Sequence, residues 1–159
     1  MDILVMNRAD VEQVANIHRE AFVRQQDSEL WLNCCLHAQP RMQLFVAKRG
    51  QHCLGYIIWN QKSGFRQNVV LELEQLAVSQ AYRNQGVATT LIEQSLPQVE
   101  KVLNQRGAKI KHIMVTTRQD NQAQSLYQKT LGAKVESVLT DLYSANEVIM
   151  IARDVHIDV

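Results

Sequence analysis

No stretch of the chain is apolar over the length a membrane span needs, and the acid at Asp2 breaks any secretory leader pattern. Charge of one sign is missing too. With 17 Lys and Arg against 16 Asp and Glu, the net charge is +1, and no basic stripe draws the chain to nucleic acid or to lipid. Cysteine is sparse: Cys34, Cys35 and Cys53 make an odd set with two members adjacent, a poor disulfide framework. No Cys-x-x-Cys or spaced Cys/His set forms a zinc site, and His18, His37, His52, His112 and His156 are scattered. Repeats, low-complexity tracts and linkers are absent. The expectation is one reduced, metal-free, cytoplasmic domain over residues 1–159, with enough apolar residues (46%) for a real core.

What is there centres on Leu71 to Leu96. Val69 to Val78 reads as a strand, with Leu71, Leu73 and Gln75 on one face and Glu72, Glu74 and Leu76 on the other. Ser79 to Gln85 is a polar loop. From Gly86 the stripe recurs at helical spacing: Val87 and Ala88, Leu91 and Ile92, Ser95 and Leu96, Val99, then Val102 and Leu103. A strand therefore runs through a loop into a helix at Arg83–Ala88. The first amides of a helix lack partners and the dipole is positive there, so a phosphate is a natural guest. Gly86 lets a ligand approach the backbone, Ala88 keeps the approach open, and Arg83 adds a charge. No Walker lysine and no Gly-x-Gly are present, so P-loop and dinucleotide readings fit poorly.

The rest of the chain, in order, reads as follows. Ile3–Met6 is a strand, and Asn7–Asp10 carries cap residues before an amphipathic helix from Val11 to Phe22. A second helix runs from about Asp27 to His37, capped by Asp27 or Ser28, with Leu30, Trp31, Cys34 and Cys35 as its apolar stripe. Leu44–Lys48 and Cys53–Asn60 form a hairpin, with Gly55 marking a bulge or close packing. Pro97 should kink or divide the long helix, and Arg106-Gly107 stops it. Ile110–Thr117 is a strand that returns parallel to the central one. Asp120–Thr130 is a short helix with Ala123, Leu126 and Tyr127 inward, ended by Gly132. Val135–Tyr143 and Glu147–Arg153 make a closing hairpin. The fold class is α/β: a mixed central sheet of about seven strands flanked by about four helices.

Leu73-Glu74-Gln75-Leu76-Ala77-Val78, four spacer residues, Arg83-Asn84-Gln85-Gly86-Val87-Ala88 and a long amphipathic helix together resemble motif A of the GNAT superfamily, the Gcn5-related N-acetyltransferases. Arg83, Gly86 and Ala88 satisfy the family's Gln/Arg-x-x-Gly-x-Gly/Ala pattern. Met114 to Tyr127, followed by Gly132-Ala133, resembles motif B, with Ala123, Leu126 and Tyr127 in register. Two departures stand out. Asp120 fills the slot usually held by Asn, with Asn121 one place later, and the spacing from Tyr127 to Gly132 is one residue longer than the commonest in the family.

The resemblance implies acetyl-CoA as co-substrate. Leu76, Ala77 and Val78 would hold its pantetheine arm. Arg83, Asn84, Gln85, Gly86, Val87, Ala88 and Thr89 would hold its diphosphate, and Asp120 or Asn121 would touch the arm. It further implies a carboxylate base at Glu74, or second at Glu72, and Tyr127 as the acid for the leaving thiolate. A phenol is protonated at neutral pH, as an acid must be. The acceptor would be a primary amine, either a small molecule or a protein N-terminus, near Phe22, Glu29, Trp31, Tyr143 and Glu147. Neither nucleic acid nor membrane is an expected partner, and a homodimer is left open. Two other readings remain at this level: a non-catalytic acyl-CoA-binding or regulatory module, and a nucleic-acid-binding α/β domain.

Overall fold

The structure, a computed structural model, describes residues 1–157. In chain order the elements are β1 Asp2–Val5, α1 Val11–Ala21, α2 Ser28–His37, β2 Met42–Arg49, β3 His52–Gln61, β4 Asn68–Val78, α3 Val87–Gln105, β5 Lys109–Arg118, α4 Ala123–Leu131, β6 Lys134–Leu139 and β7 Glu147–Ala152. The strands form one sheet in the order β1-β2-β3-β4-β5-β7-β6. β4 runs parallel to β5, which it reaches only through α3, whereas β1–β2, β2–β3, β5–β7 and β6–β7 are antiparallel. The expected mixed α/β sheet with seven strands and four helices is the one found. Among the described residues no helix is long and apolar enough to cross a membrane.

The chain gathers into two compact units: Met1–Asn60 with Gln75–Leu96, and Gln61–Glu74 with Pro97–Val159. In the first, Asn7 and Asp10 form a reciprocal capping box, Asn7 Oδ1 accepting from Ala9 N–H and Asp10 Oδ2 from Asn7 N–H. The apolar face of α1 (Val11, Val14, Ala15, Ile17) packs with Leu32 and Cys35 of α2, Leu44 and Val46 of β2, and Tyr56 and Ile58 of β3. Each fully buried aliphatic side chain of this kind stabilises by roughly 1.5–3 kcal/mol. The face of α2 differs from the expected stripe. Leu32 and Cys35 are buried, while Leu30 and Cys34 are exposed. Asp27 does not cap the helix with its side chain; it takes a left-handed conformation (φ 51°), and the Ser28 hydroxyl turns to His18 instead.

In the second unit the Pro97 end of α3 supplies Val99 and Leu103 to the interior, and Glu100 accepts the N–H of Ile110 at 3.0 Å. Pro97 does not divide the helix, which is continuous from Val87 to Gln105. Gly107 (φ 74°) ends it, with Ala108 N–H returning to the Leu103 carbonyl. Gly132 (φ 70°) closes α4 by the same device. That helix begins at Ala123, three residues later than expected, because Asn121 makes a local turn: its Oδ1 accepts from Ala123 N–H at 2.9 Å. The closing hairpin is shorter than expected, with β6 ending at Leu139 and Tyr143 lying in the connecting loop.

Candidate active site

Alternation along β4 is as the sequence predicts. Val69, Leu71, Leu73, Gln75 and Ala77 are buried, and Glu72, Glu74, Leu76 and Val78 are half-buried. Within the first unit, β3 comes very close to the end of this strand. A Cβ on Gly55 would stand 2.8 Å from the Ala77 carbonyl oxygen and 3.3 Å from Val78 Cα. A register shift beside Gly55 leaves Leu54 as the extra residue of a bulge, and the Leu54 carbonyl accepts the N–H of Ser79 at 2.8 Å. Both readings of Gly55, bulge and close packing, are realised.

Past Val78 the chain makes a single turn at Gln80–Tyr82 and enters the loop. Arg83 Nε donates to the Val78 carbonyl at 3.1 Å, so this side chain ties the loop to the strand end. Gln85 Nε2 donates to the Ala81 carbonyl. Asn84 (φ 61°) and Gly86 (φ 80°) are both left-handed, which aims the chain into α3. The Gly86 carbonyl accepts from Thr90 N–H at 3.0 Å and Thr90 Oγ1 at 2.9 Å, which fixes the first turn. No atom lies within 4 Å of where a Gly86 Cβ would stand, so the helix head is open there. Arg83, Asn84, Gln85 and Gly86 are exposed, Val87 is buried, and Ala88 and Thr89 are half-buried. Residues with free access to unpaired first-turn amides and an adjacent guanidinium suit a diphosphate. A second cation near the loop escaped sequence reasoning: the Arg49 guanidinium lies 5.8 Å from the centre of the Tyr82 ring.

Gln75 is the larger omission. It is buried, and its Oε1 accepts from Trp31 Nε1 and from the Tyr56 hydroxyl, each at 2.9 Å. Its Nε2 donates to Gln25 Oε1 at 3.0 Å, and that oxygen also takes a bond from His18 Nε2 at 2.8 Å. An amide oxygen only accepts, so His18 Nε2 is the donor to it, and Nδ1 pairs with the Ser28 hydroxyl at 2.7 Å. The network holds the segment between α1 and α2 to β4 one residue before Leu76. Among the acceptor-region residues, Trp31 belongs to this network. Phe22 stacks at a tilt on His18, and Glu29 is exposed and paired with Arg19 at 3.8 Å.

The second unit carries the titratable candidates. The β4–β5 ladder ends at Glu72 opposite Met114, although β5 runs on to Arg118. Glu72 lies 3.8 Å from Lys62 Nζ. Tyr127 is buried on α4, and burial pushes its phenol up to about 12. Asn121 Nδ2 donates to Thr117 Oγ1, and Arg118 grips both oxygens of Asp120 at 3.0 Å. Both residues that the sequence left as alternatives therefore serve the head of α4. Tyr143 is exposed, and Glu147 is buried at the start of β7. Among the described residues no group of His, Cys, Asp and Glu could hold a metal ion.

The chain matches the model of the acetyltransferase (GNAT) family over residues 11–133. No curated protein matches its sequence. Several solved structures share the fold. An aminoglycoside 6'-N-acetyltransferase complexed with coenzyme A aligns with TM-score 0.76 and 17% identity over 99% of each chain. The ribosomal-protein-S18-alanine N-acetyltransferase from Escherichia coli aligns at 0.72 and 17%, over 99% of this chain and 96% of that one. A spermidine N-acetyltransferase chimera from Vibrio cholerae and hSSAT aligns at 0.75 and 15%, over 97% of each. Acetyl-CoA is the co-substrate of the matched family. By that match, which takes in the loop at the head of α3 and the whole of α4, this chain belongs to the acetyltransferase (GNAT) family.

Proposed function

We propose that the chain is a single N-acetyltransferase domain over residues 1–159 that moves an acetyl group from acetyl-CoA to a primary amine by direct attack. The observation that carries this reading is the Arg83–Gly86 turn: a helix head with left-handed Gly86 and open space where a Cβ would stand. In this reading Arg83 and the backbone from Asn84 to Thr89 take the diphosphate. The main chain of Leu76, Ala77 and Val78 takes the pantetheine arm as an added strand. Asp120 or Asn121 touches the arm.

Acetyl-CoA supplies the acyl group already activated as a thioester. The chain's residues move the protons. Glu74, with Glu72 second, takes a proton from the acceptor ammonium directly or through a water, freeing the nitrogen lone pair. As the N–C bond forms, an N–H of the Leu76–Val78 segment donates to the developing oxyanion. When the C–S bond breaks, sulfur leaves with the electron pair and Tyr127 gives it the phenolic proton; the proton that nitrogen sheds on becoming an amide then restores the phenol. A buried phenol holds that proton at any physiological pH. The fold neighbours named above act on an aminoglycoside, a ribosomal-protein alanine and spermidine, all amines, which supports an amine acceptor, whether small molecule or protein N-terminus.

The test is a melting curve with and without acetyl-CoA, repeated for Gly86→Glu. At ~100 times its dissociation constant the ligand should add about 2.7 kcal/mol. For a chain of this size that is a rise of about 5–10 °C. The variant should lose the rise whatever its own unliganded midpoint. No rise in the wild type at saturating acetyl-CoA would sink the reading.

A further inference from the structure

Glu147 sits at the first residue of β7 with 7% of its surface exposed, and its Oε2 has no hydrogen-bond partner among the described residues. A buried carboxylate oxygen without a donor is costly, and native chains rarely keep one without a use. Its local cation is in position but engaged elsewhere. Arg118 lies directly across the ladder from Glu147, where opposite charges would normally pair. Arg118 instead gives Nε and Nη2 to Asp120 and Nη1 to Ser144 Oγ. Burial pushes the Glu147 carboxyl above its usual range; Arg118 opposes that push and Asp120 adds to it. Burial alone disfavours the charged form, and a cation brought to Oε2 would supply the partner that no described residue provides.

The ladder also sets which way the residue faces. Opposed residues share a sheet face, and alternate residues along a strand return to it. Glu72 is opposite Met114, Thr116 is opposite Ile149, and Arg118 is opposite Glu147. Glu147 therefore shares a face with Glu72, and Thr116 between them is exposed. Taken from Glu72, the second candidate for the base and the one the ladder fixes, four residues along β5 and two strand spacings across place the two backbones about 16 Å apart, and side chains leaning toward each other bring the carboxylates to about 10 Å.

We propose that Glu147 binds a positive charge of the acceptor, so that the preferred acceptor is an extended molecule with a second cation about 10 Å from the amine to be acetylated. This inference rests on the acetyltransferase reading for the word acceptor; the cation site itself does not. A free ammonium donates three N–H groups to the orphaned oxygen and its neighbours, and Arg118 is kept from competing by its grip on Asp120.

The test titrates octamethylenediamine by calorimetry into the full-length wild type and Glu147→Gln, with octyl alcohol as the uncharged control. It then compares KM for octamethylenediamine and octylamine. Diamine binding should weaken at least tenfold in the variant, with octyl alcohol unaffected. The KM for the diamine should rise at least tenfold, with that for octylamine unchanged. Diamine binding that is the same in both proteins overturns the proposal. So does an enzyme that acetylates diamine and monoamine with equal KM, a result that leaves the acetyltransferase reading intact. Diamine held through Glu147 but never acetylated overturns the proposal that such a molecule is the acceptor, and the acetyl-CoA melting curve decides the acetyltransferase reading separately. A salt series on the wild type needs no variant: affinity for the diamine should fall as ionic strength rises, and a flat series counts against charge pairing.

Discussion

Replacing Gly55 by Ala adds one methyl group, and the structure leaves no room for it. The new Cβ would stand 2.8 Å from the Ala77 carbonyl oxygen, with Leu91 Cδ1 and Val78 Cα each at 3.3 Å. Two of those three neighbours are main chain, so a side-chain rotation cannot clear the way. Either β3 backs away or the Ala77–Val78 peptide moves. Overpacking of this kind costs about 1–3 kcal/mol. For a domain of this length that is a fall of roughly 3–10 °C in melting midpoint. The displaced peptide belongs to the segment proposed to bind the pantetheine arm. Acetyl-CoA affinity, measured as the ligand-induced rise in midpoint, should therefore fall as well. Gly50→Ala is the control, because a Cβ there meets nothing within 4 Å and only its positive φ is strained. If Gly55→Ala melts within 1 °C of the wild type (about a third of a kcal/mol on the same scale) and keeps its acetyl-CoA rise, the close approach is not what shapes this strand end.

Two further predictions follow from the buried groups. Tyr127→Phe should lower turnover about 10²–10⁴-fold with acetyl-CoA affinity little changed, and the wild-type rate should rise with pH as the base and acceptor deprotonate. An acid is lost only when pH passes its folded pKa, here about 12, so no falling limb should appear below that value; a fall near pH 9 would rule Tyr127 out as the acid. Gln75→Leu strands the Trp31 indole N–H and the Tyr56 hydroxyl without an acceptor, at about 1–3 kcal/mol each, whereas Gln75→Glu keeps an acceptor for both. Chemical denaturation should therefore rank the leucine variant below the glutamate variant, and the reverse order would count against the network.

Sequence periodicity captured the long elements because their burial is one-sided. β4 alternates as read, and the pattern Arg83, Gly86, Ala88 located the open helix head, since a left-handed turn there needs a residue like glycine. α2 was misread for lack of length. Ten residues with a polar Ser, Glu, Asn and His among apolar ones do not define a stripe, and packing chose Leu32 over Leu30. The start of α4 was misplaced because Asn121 competes for the backbone that a helix would use. The Gln75 network was invisible for a different reason. Ser28 read as a helix cap, Trp31 as part of the acceptor region, and His18, Gln25, Tyr56 and Gln75 as ordinary residues; only the fold brings partners up to 50 positions apart into bonding range. Glu147 was noticed as an acid near the last hairpin, but its missing donor is a three-dimensional fact.

The placement of the two indoles has a practical consequence. Trp31 is bonded to Gln75 and Trp59, fully buried, is bonded to Ser95 of α3, so both chromophores lie in the unit that holds the Arg83–Gly86 loop. The other unit, with Tyr127 and Glu147, has no tryptophan. Native emission excited at the red edge therefore originates wholly within the unit that holds the Arg83–Gly86 loop, and unlabelled protein can report on ligand addition to that unit.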